Sequence, residues 1–439
     1  MSSGTGSSSS RRILIGLAIG VAAGLLCNYL FAPNGPLANH SDFLRSTIEQ
    51  VMLPLGKLFL RLIFMVVIPL VISAIVIGTL ELGDARHLGK VGLNTLLMTI
   101  ILSTTSVAIA LLLVNILKPG RALPTQAREQ LLSEYAKQSE SALKSTKPEK
   151  KLGETLLDLI PENPLTEAVN AFNKEHTGGG MLAVMVFSVI FGLAMACAPP
   201  DRVAALKDTL SGLFDVCMVV IGFAMKLAPL GVTCIGFALG ARLGLGVVHT
   251  VGFYMVTVLI GLAIHMFVSY PVALSVFGKK NPRAFFQETK EALVTAFATS
   301  SSNATLPVSL RVAEENLRLP SKISRFVLTV GASANQNGTA LYEGITVLFL
   351  AQVFGVDLTL TQQITVALMC ILAGIGTAGV PGGSLPMVAG VLATVGVQPE
   401  SIAIILGVDR LLDMCRTTLN VAGDMVIAVL VARREQTTT

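Results

Sequence analysis

Near the end of the chain, charged and polar side chains recur at helical spacing in a segment that is otherwise apolar. At about 100° per residue from Asp409, these positions share one narrow face of a helix: Asp409, Asp413, Arg416, Asn420 and Asp424. Thr417 lies at the edge of this face, and Arg410 lies further round, at about 100°. From Asp409 to Asp424 the helix rises roughly 22 Å, which is most of the hydrocarbon depth of a bilayer.

This charged face predicts a binding site inside a membrane. A charge at the bilayer centre costs about 2.5 to 3.5 kcal/mol, so these side chains must face a cavity or partners rather than lipid. An Asp413–Arg416 pair at i,i+3 could simply stabilise the helix. That pair leaves Asp409, Asn420 and Asp424 without a cation on their face. One guanidinium among several carboxylates suits a bound cation or a small zwitterion, with Arg416 gripping a carboxylate and Asp413 an amine.

The composition is that of a membrane protein. Of 439 residues, 52% are hydrophobic and 13% are charged, against about a quarter charged in soluble domains. Membrane spans are predicted at 13–33, 46–80, 91–117, 180–198, 210–238 and 247–277. The basic clusters behind the net charge of +5 flank apolar segments. They indicate orientation in a lipid bilayer, so we expect no nucleic-acid partner.

Two further apolar segments are interrupted at their middle. Residues 292–310 contain "TSSSN", and residues 364–397 contain "GIGTAGVPGGSLP". Serine and asparagine favour turns, and glycine and proline break helices, so each segment predicts two half-length helices that meet at a tip. Each could instead be a packing patch or an ordinary loop. Paired interruptions in matching order favour two re-entrant hairpins at a transporter site.

Four motifs then carry a family resemblance: "TSSSNATLP", "GASANQNGTALYEG", "GTAGVPGG" and "LDMCRTTLNVAGD". Their order and spacing resemble the dicarboxylate/amino acid:cation symporters, which include the excitatory amino acid transporters and their prokaryotic homologues. The resemblance runs from about residue 12 to 432, except for a charged loop at 119–153. It implies an all-α polytopic membrane protein with eight transmembrane helices, two re-entrant helical hairpins and inverted repeats. It also implies a homotrimer that works as an elevator in the cell (plasma or inner) membrane.

The resemblance divides the chain into a fixed scaffold and a moving transport domain. The expected parts are a disordered start at 1–11, scaffold at 12–87 and 154–243, transport domain at 88–118 and 244–433, a flexible charged loop at 119–153, and hairpins at about 283–315 and 360–396. The implied substrate contacts are Ser301, Ser302, Thr339, Gly379, Val380, Gly382, Asp413, Arg416, Thr417 and Asn420. Arginine at 416 resembles the acidic-amino-acid branch. We therefore expect L-glutamate or L-aspartate as substrate, and no cofactor.

The motifs leave the coupling ion open between proton and sodium, because this chain departs from the usual sodium signature of the family. Gln336 and Asn337 replace the usual Met and Asp, and Leu102 stands where a hydroxyl residue is usual in the third span. A second sodium site keeps its ligands, and the candidate cation positions together are Gly331, Ser333, Asn335, Gln336, Asn337, Thr377, Asn420 and Asp424. Glu343 matches a position that carries the proton in animal relatives. We predict proton coupling with weak or no sodium dependence; the alternative is a sodium-coupled symporter.

Two other classes compete with a symporter. An intramembrane aspartyl protease needs a Gly-x-Gly-Asp motif, and "VAGD" has Val421 at its first glycine position. A serine hydrolase on "TSSSN" lacks the Gly-x-Ser-x-Gly elbow. An ion channel is the closer rival, since it needs the same charges at membrane depth. We expect a transporter and no enzyme, with no metal other than sodium.

Overall fold

The computed structural model describes residues 5–31, 36–37, 41–84, 90–122, 160–171, 180–376 and 382–436, and their regular secondary structure is helical throughout. The first group of α-helices is α1 (Thr5–Leu30), α2 (Ser41–Thr47), α3 (Leu53–Phe64), α4 (Val67–Asp84), α5 (Lys90–Leu117), α6 (Pro164–Val169), α7 (Gly180–Cys197) and α8 (Pro200–Leu243). The second is α9 (Leu245–Ile264), α10 (Tyr270–Val276), α11 (Pro282–Thr299), α12 (Ser302–Glu315), α13 (Ser321–Ala334), α14 (Asn337–Val353), α15 (Leu360–Gly376), α16 (Ser384–Thr394) and α17 (Leu406–Gln436). A π-helical turn, His265–Ser269, joins α9 to α10.

Within these ranges, six helical stretches are long and apolar enough to cross a membrane. They are Asp42–Leu80, Val91–Ala122, Gly180–Cys197, Pro200–Arg242, Val248–Val276 and Leu406–Glu435. Five of them overlap predicted spans, and the sixth carries the charged face. The predicted first span falls on α1, whose apolar part, Ile15–Leu30, is shorter than the others. The chain is therefore a polytopic membrane protein, while the count of eight spans stays a prediction.

The segment that we expected to be disordered overlaps the first helix. Helix α1 begins at Thr5, inside the segment 1–11 that we expected to be disordered. Most of the charged loop predicted at 119–153 lies outside the described residues, apart from the short 3-10 helix Pro119–Ala122.

Each interrupted segment contains two helices that pack on each other, α11 with α12 and α15 with α16. Helix α11 ends at Thr299, and Ser300 follows it in a left-handed conformation (φ 50°). Ser301 then caps α12 by accepting a hydrogen bond from the backbone N–H of Ala304. In the second pair, Gly382 (φ +79°) precedes α16. Thr377, Gly379 and Val380 lie outside the described residues. That these pairs re-enter the membrane from one side stays a prediction.

Helix α17 lies at the centre of the helices that surround the charged face. Of the 18-residue apolar part of α17, 83% is buried inside the protein, against 33 to 56% for the other five stretches. It packs against α11, α13, α14, α9 and α5. Enclosure by other helices provides the polar partners that a charged side chain at membrane depth requires.

Candidate functional site

The charged face of α17 is buried, and its central feature is an ion pair between Asp413 and Arg416. The Arg416 Nη2 and Nε groups donate to Asp413 Oδ1 over 2.6 and 3.2 Å. The two side chains are 4% and 3% exposed. A charge-assisted contact that is so well shielded from water is among the stronger polar interactions in proteins.

Arg410 also belongs to this cluster, although its backbone position placed it away from the charged face. Its Nη1 group donates to Asp413 Oδ2 over 3.3 Å, and its side chain is 7% exposed. A long arginine side chain can reach around the helix to the neighbouring turn. Asp413 is therefore held from both sides, by Arg416 at one oxygen and by Arg410 at the other.

Two side chains from other helices complete the surroundings of Arg416. Its Nη1 group donates to Ser384 Oγ at the start of α16. Its guanidinium carbon also lies 4.5 Å from the centroid of the Tyr342 ring in α14. The same tyrosine donates from its hydroxyl to Asp409 Oδ1 over 2.6 Å. Arg416 is thus fixed in direction by the second helix pair and by α14, with cation–π support from the ring.

Further along α17, Asn420 joins this helix to the start of α14. Its Oδ1 atom accepts from the backbone N–H of Gly338 over 2.7 Å, and its Nδ2 group donates to Gln336 Oε1 and to Thr339 Oγ1. Thr417, one turn earlier, is buried as well. The structure therefore brings together Thr339, Asn420 and the Asp413 to Thr417 segment, as the motifs predicted.

Asp424 lies at the other end of the face, next to two of the predicted cation positions. Asn335 Nδ2 donates to Asp424 Oδ1 over 2.7 Å. A Cβ atom on Gly331 would lie 2.5 Å from that same oxygen, so only glycine allows this close approach of α13 and α17. Ser333 lies on α13 between these residues. Carboxylate, amide and backbone oxygens at one place are suitable ligands for a hard cation.

Asn337 is held by neutral hydrogen-bond partners. Its Oδ1 atom accepts from Ser103 Oγ over 2.7 Å, and its Nδ2 group donates to the Tyr270 hydroxyl over 3.4 Å. Tyr270 in turn donates to the backbone carbonyl of Leu419. The amide and its two hydroxyl neighbours therefore satisfy one another without a charge.

Ser301 and Ser302, at the turn between α11 and α12, are buried, and so is Glu343. Ser302 Oγ has no hydrogen-bond partner among the described residues, although it is buried at the start of α12, which packs against α17. Glu343 is fully buried on α14, one helical turn after Thr339. An ionisable side chain at that depth marks a functional position by default.

Sequence reasoning missed four contributors to this site: Arg410, Tyr342, Ser384 and Tyr270. Tyr342 follows Thr339 by three residues, so helical spacing could have indicated that it shares a face. Arg410 was noticed but left without a role. Ser384 and Tyr270 had no signal, because their contacts join elements that are far apart in sequence.

Comparison with known proteins identifies the family. The sequence profile of the sodium:dicarboxylate symporter family matches residues 10–434. The chain belongs to this family. It is 32% identical over 432 residues to the proton/sodium-glutamate symport protein of Bacillus subtilis (strain 168), covering 97% of this chain and 94% of that protein.

Two other relatives of this symporter come from a bacterium and from an animal. The proton/glutamate-aspartate symporter of Escherichia coli (strain K12) is 29% identical, with 97% of this chain and 92% of that protein covered. Human excitatory amino acid transporter 3 is 32% identical, with coverage of 88% and 79%. The resemblance drawn from the four motifs is confirmed, and the chain is a multi-pass membrane transporter, not an enzyme.

Proposed function

We propose that this symporter takes up L-glutamate or L-aspartate, driven by protons with weak or no dependence on sodium. It works as a homotrimer in the cell membrane. In each protomer a scaffold (12–87 and 154–243) surrounds a transport domain (88–118 and 244–433) that moves as an elevator. The observation that carries the substrate class is the pairing of Arg416 with Asp413 at the buried centre of α17.

The substrate binds by replacing this internal ion pair. Arg416 turns its parallel N–H groups from Asp413 to the side-chain carboxylate of the amino acid, and Asp413 takes the ammonium group. The α-carboxylate is received by Ser301 and Ser302 at the N-terminus of α12, where backbone N–H groups attract an anion. Thr339, Thr417 and Asn420 line the site, and the second tip closes over it with Gly379, Val380 and Gly382.

Asn337 supports proton rather than sodium coupling. Where sodium-coupled relatives have aspartate, this chain has a neutral amide that already exchanges hydrogen bonds with Ser103 and Tyr270. A sodium ion there would lose a carboxylate ligand and would have to displace satisfied polar groups. Glu343 then carries the coupling proton, which neutralises its carboxylate before the domain crosses. The Bacillus subtilis and Escherichia coli relatives both have names that include the proton, and the first name includes sodium as well.

Sodium coupling is the second candidate, and it rests on Asp424. Gly331, Asn335, Asn420 and Asp424 retain the oxygen atoms of one sodium site, and Asn335 and Asp424 contact each other. Gln336, Ser333 and Thr377 are the further candidate cation positions, and Thr377 lies outside the described residues.

Uptake of radiolabelled glutamate into proteoliposomes, with the proton and sodium gradients imposed separately, tests these alternatives. An inward proton gradient without sodium is expected to drive accumulation. Glu343→Gln is expected to keep glutamate exchange but lose its pH dependence, because an amide does not titrate. Accumulation with a sodium gradient at equal pH, and none with a pH gradient alone, would show that the Asp424 site is the coupling site.

A further inference from the structure

An apolar cavity lies between four helices, away from the charged face of α17. It has a volume of about 420 Å³ and is lined by α1, α8, α9 and the residues around the start of α17. Every lining residue is Gly, Ala, Val, Leu, Ile or Met, and none is a predicted site residue. A cavity without hydrogen-bonding groups stays free of water and binds apolar molecules instead.

Glycine residues show where these helices touch and where they separate. A Cβ atom on Gly20 of α1 would lie 2.2 Å from the backbone oxygen of Thr233 in α8, so these two helices meet along their backbones. Gly252 of α9 lines the cavity, and a Cβ atom there would meet no atom within 4 Å. The close packing of α1 and α8 therefore does not extend to α9, and the cavity lies on that side.

The cavity opens toward lipid. Three of its lining residues, Ala18, Ala22 and Val248, are exposed. The first two lie in the apolar part of α1, and the third begins the apolar stretch of α9. Along α1 the lining runs from Leu17 to Leu25, which is roughly 12 Å at the rise of an α-helix. The cavity is therefore elongated along the helices, as an acyl chain is in a bilayer.

An excess positive charge lies near one end of the cavity, where α8 ends and α9 begins. Arg242, in the last turn of α8, follows the lining residue Leu239 by three residues. Arg242 Nη2 and Arg45 Nε both contact Glu49 Oε1, at 3.7 and 3.0 Å. Two guanidinium groups that share one carboxylate leave this cluster with a charge of +1. Basic groups beside transmembrane helices attract anionic lipid headgroups.

We propose that this cavity binds one acyl chain of an anionic phospholipid, with the headgroup beside Arg242. Lipid is the apolar solvent at its opening, and the charge of the cluster is complementary to a phosphate group. Helices α1 and α8 belong to the proposed scaffold, and α9 and α17 belong to the proposed transport domain. The lipid therefore bridges the two domains; this consequence rests on the proposed function, while the binding itself does not.

Photocrosslinking in proteoliposomes tests the site. The reagent is phosphatidylglycerol with a diazirine on one acyl chain, and mass spectrometry identifies the labelled peptides after irradiation. Label is expected on the cavity-lining residues of α1, α8 or α9. Unlabelled phosphatidylglycerol is expected to compete about fivefold better than phosphatidylcholine, which has no net charge, because one basic residue near the headgroup gives about that factor.

Two glycines on neighbouring helices provide a matched pair of variants. Gly252→Leu places its side chain in the cavity and is expected to lower labelling of the lining at least about tenfold, since the loss of two buried methylene groups from the ligand has that effect. Gly222→Leu on α8 also has space for its Cβ atom but does not line the cavity, so wild-type labelling is expected.

Arg242→Gln tests the headgroup separately. This variant is expected to keep the label in the cavity and to lose the preference for phosphatidylglycerol over phosphatidylcholine. Equal competition by the two lipids in the wild type would overturn the assignment of an anionic headgroup.

The cavity is overturned as a lipid site if label spreads evenly over all lipid-facing helices, or if Gly252→Leu and Gly222→Leu are labelled alike. If Gly252→Leu does not fold, Ala22→Phe at the opening makes the same comparison. Because the readout is labelling, a protein that is labelled in the cavity but does not transport acidic amino acids would retain this site and overturn the proposed function alone.

Discussion

Replacement of Arg416 by cysteine is the most direct test of the substrate site. Arg416 makes two hydrogen bonds to Asp413 Oδ1 and one to Ser384 Oγ. In the proposed substrate complex, its parallel N–H groups hold the side-chain carboxylate of aspartate or glutamate. Cysteine removes every one of these donors and leaves Asp409 and Asp413 with Arg410 as the remaining arginine of the cluster.

The expected loss can be worked from a single contact. A hydrogen bond to a charged group contributes about 1.5 to 3 kcal/mol, and the two bonds to one carboxylate are not independent. We take the contribution of one such hydrogen bond as the minimum loss of binding free energy. This loss corresponds to an increase in Kd of about tenfold to about 150-fold for L-aspartate. Ser384→Ala removes only the group that orients Arg416, so a smaller increase of about two- to tenfold is expected.

Isothermal titration calorimetry of the detergent-purified protein measures these affinities directly. L-aspartate, L-glutamate and L-serine are each titrated into wild type, Arg416→Cys, Ser384→Ala and the exposed-end control Arg434→Cys. Arg416→Cys is expected to lose the acidic ligands and to bind L-serine, whose hydroxymethyl group needs no guanidinium partner. Arg410 still pairs with Asp413 in this variant, so its fold should survive, which thermal unfolding verifies.

The reasoning is refuted if Arg416→Cys, correctly folded, binds L-aspartate with the wild-type Kd. Equal losses for L-serine and L-aspartate would also contradict it, because a carboxylate contact discriminates between them.

Two further predictions concern the coupling ion and the assembly. Asn337→Asp places a negative charge beside the hydroxyls of Ser103 and Tyr270. Sodium is therefore expected to raise the unfolding temperature of this variant more than that of the wild type, because a ligand of the folded state stabilises it. Equal shifts in the two proteins, measured by differential scanning fluorimetry, would show that position 337 does not bind the ion. Purified protein in mild detergent is expected to be a trimer by multi-angle light scattering, and a monomer alone would count against the scaffold of an elevator.

Much of α17 could be predicted from sequence because a helix has a fixed period. Spacing of 3.6 residues places Asp409, Asp413, Arg416, Asn420 and Asp424 on one face whatever surrounds them, and the structure buries all five. The two helix pairs were also predictable, because serine, glycine and proline break helices for local reasons. Both kinds of signal are contained within a few consecutive residues.

The partners of this face could not be predicted in the same way. Tyr270 and Ser384 reach α17 from elements 149 and 32 residues away in sequence, and no local pattern records such a meeting. Arg410 was misjudged for a different reason. Angular position describes where a side chain leaves the helix, while a side chain as long as arginine can end on another face.

Asn337 bears on the same electrostatic question as the charged face of α17. Its amide carries no charge, and it exchanges hydrogen bonds with the hydroxyls of Ser103 and Tyr270. Compared with an aspartate, this amide lowers the number of cations that a buried site must bind before it can cross a low-dielectric membrane. We therefore expect the proposed proton at Glu343, rather than a sodium ion at position 337, to couple the movement of the domain to its substrate.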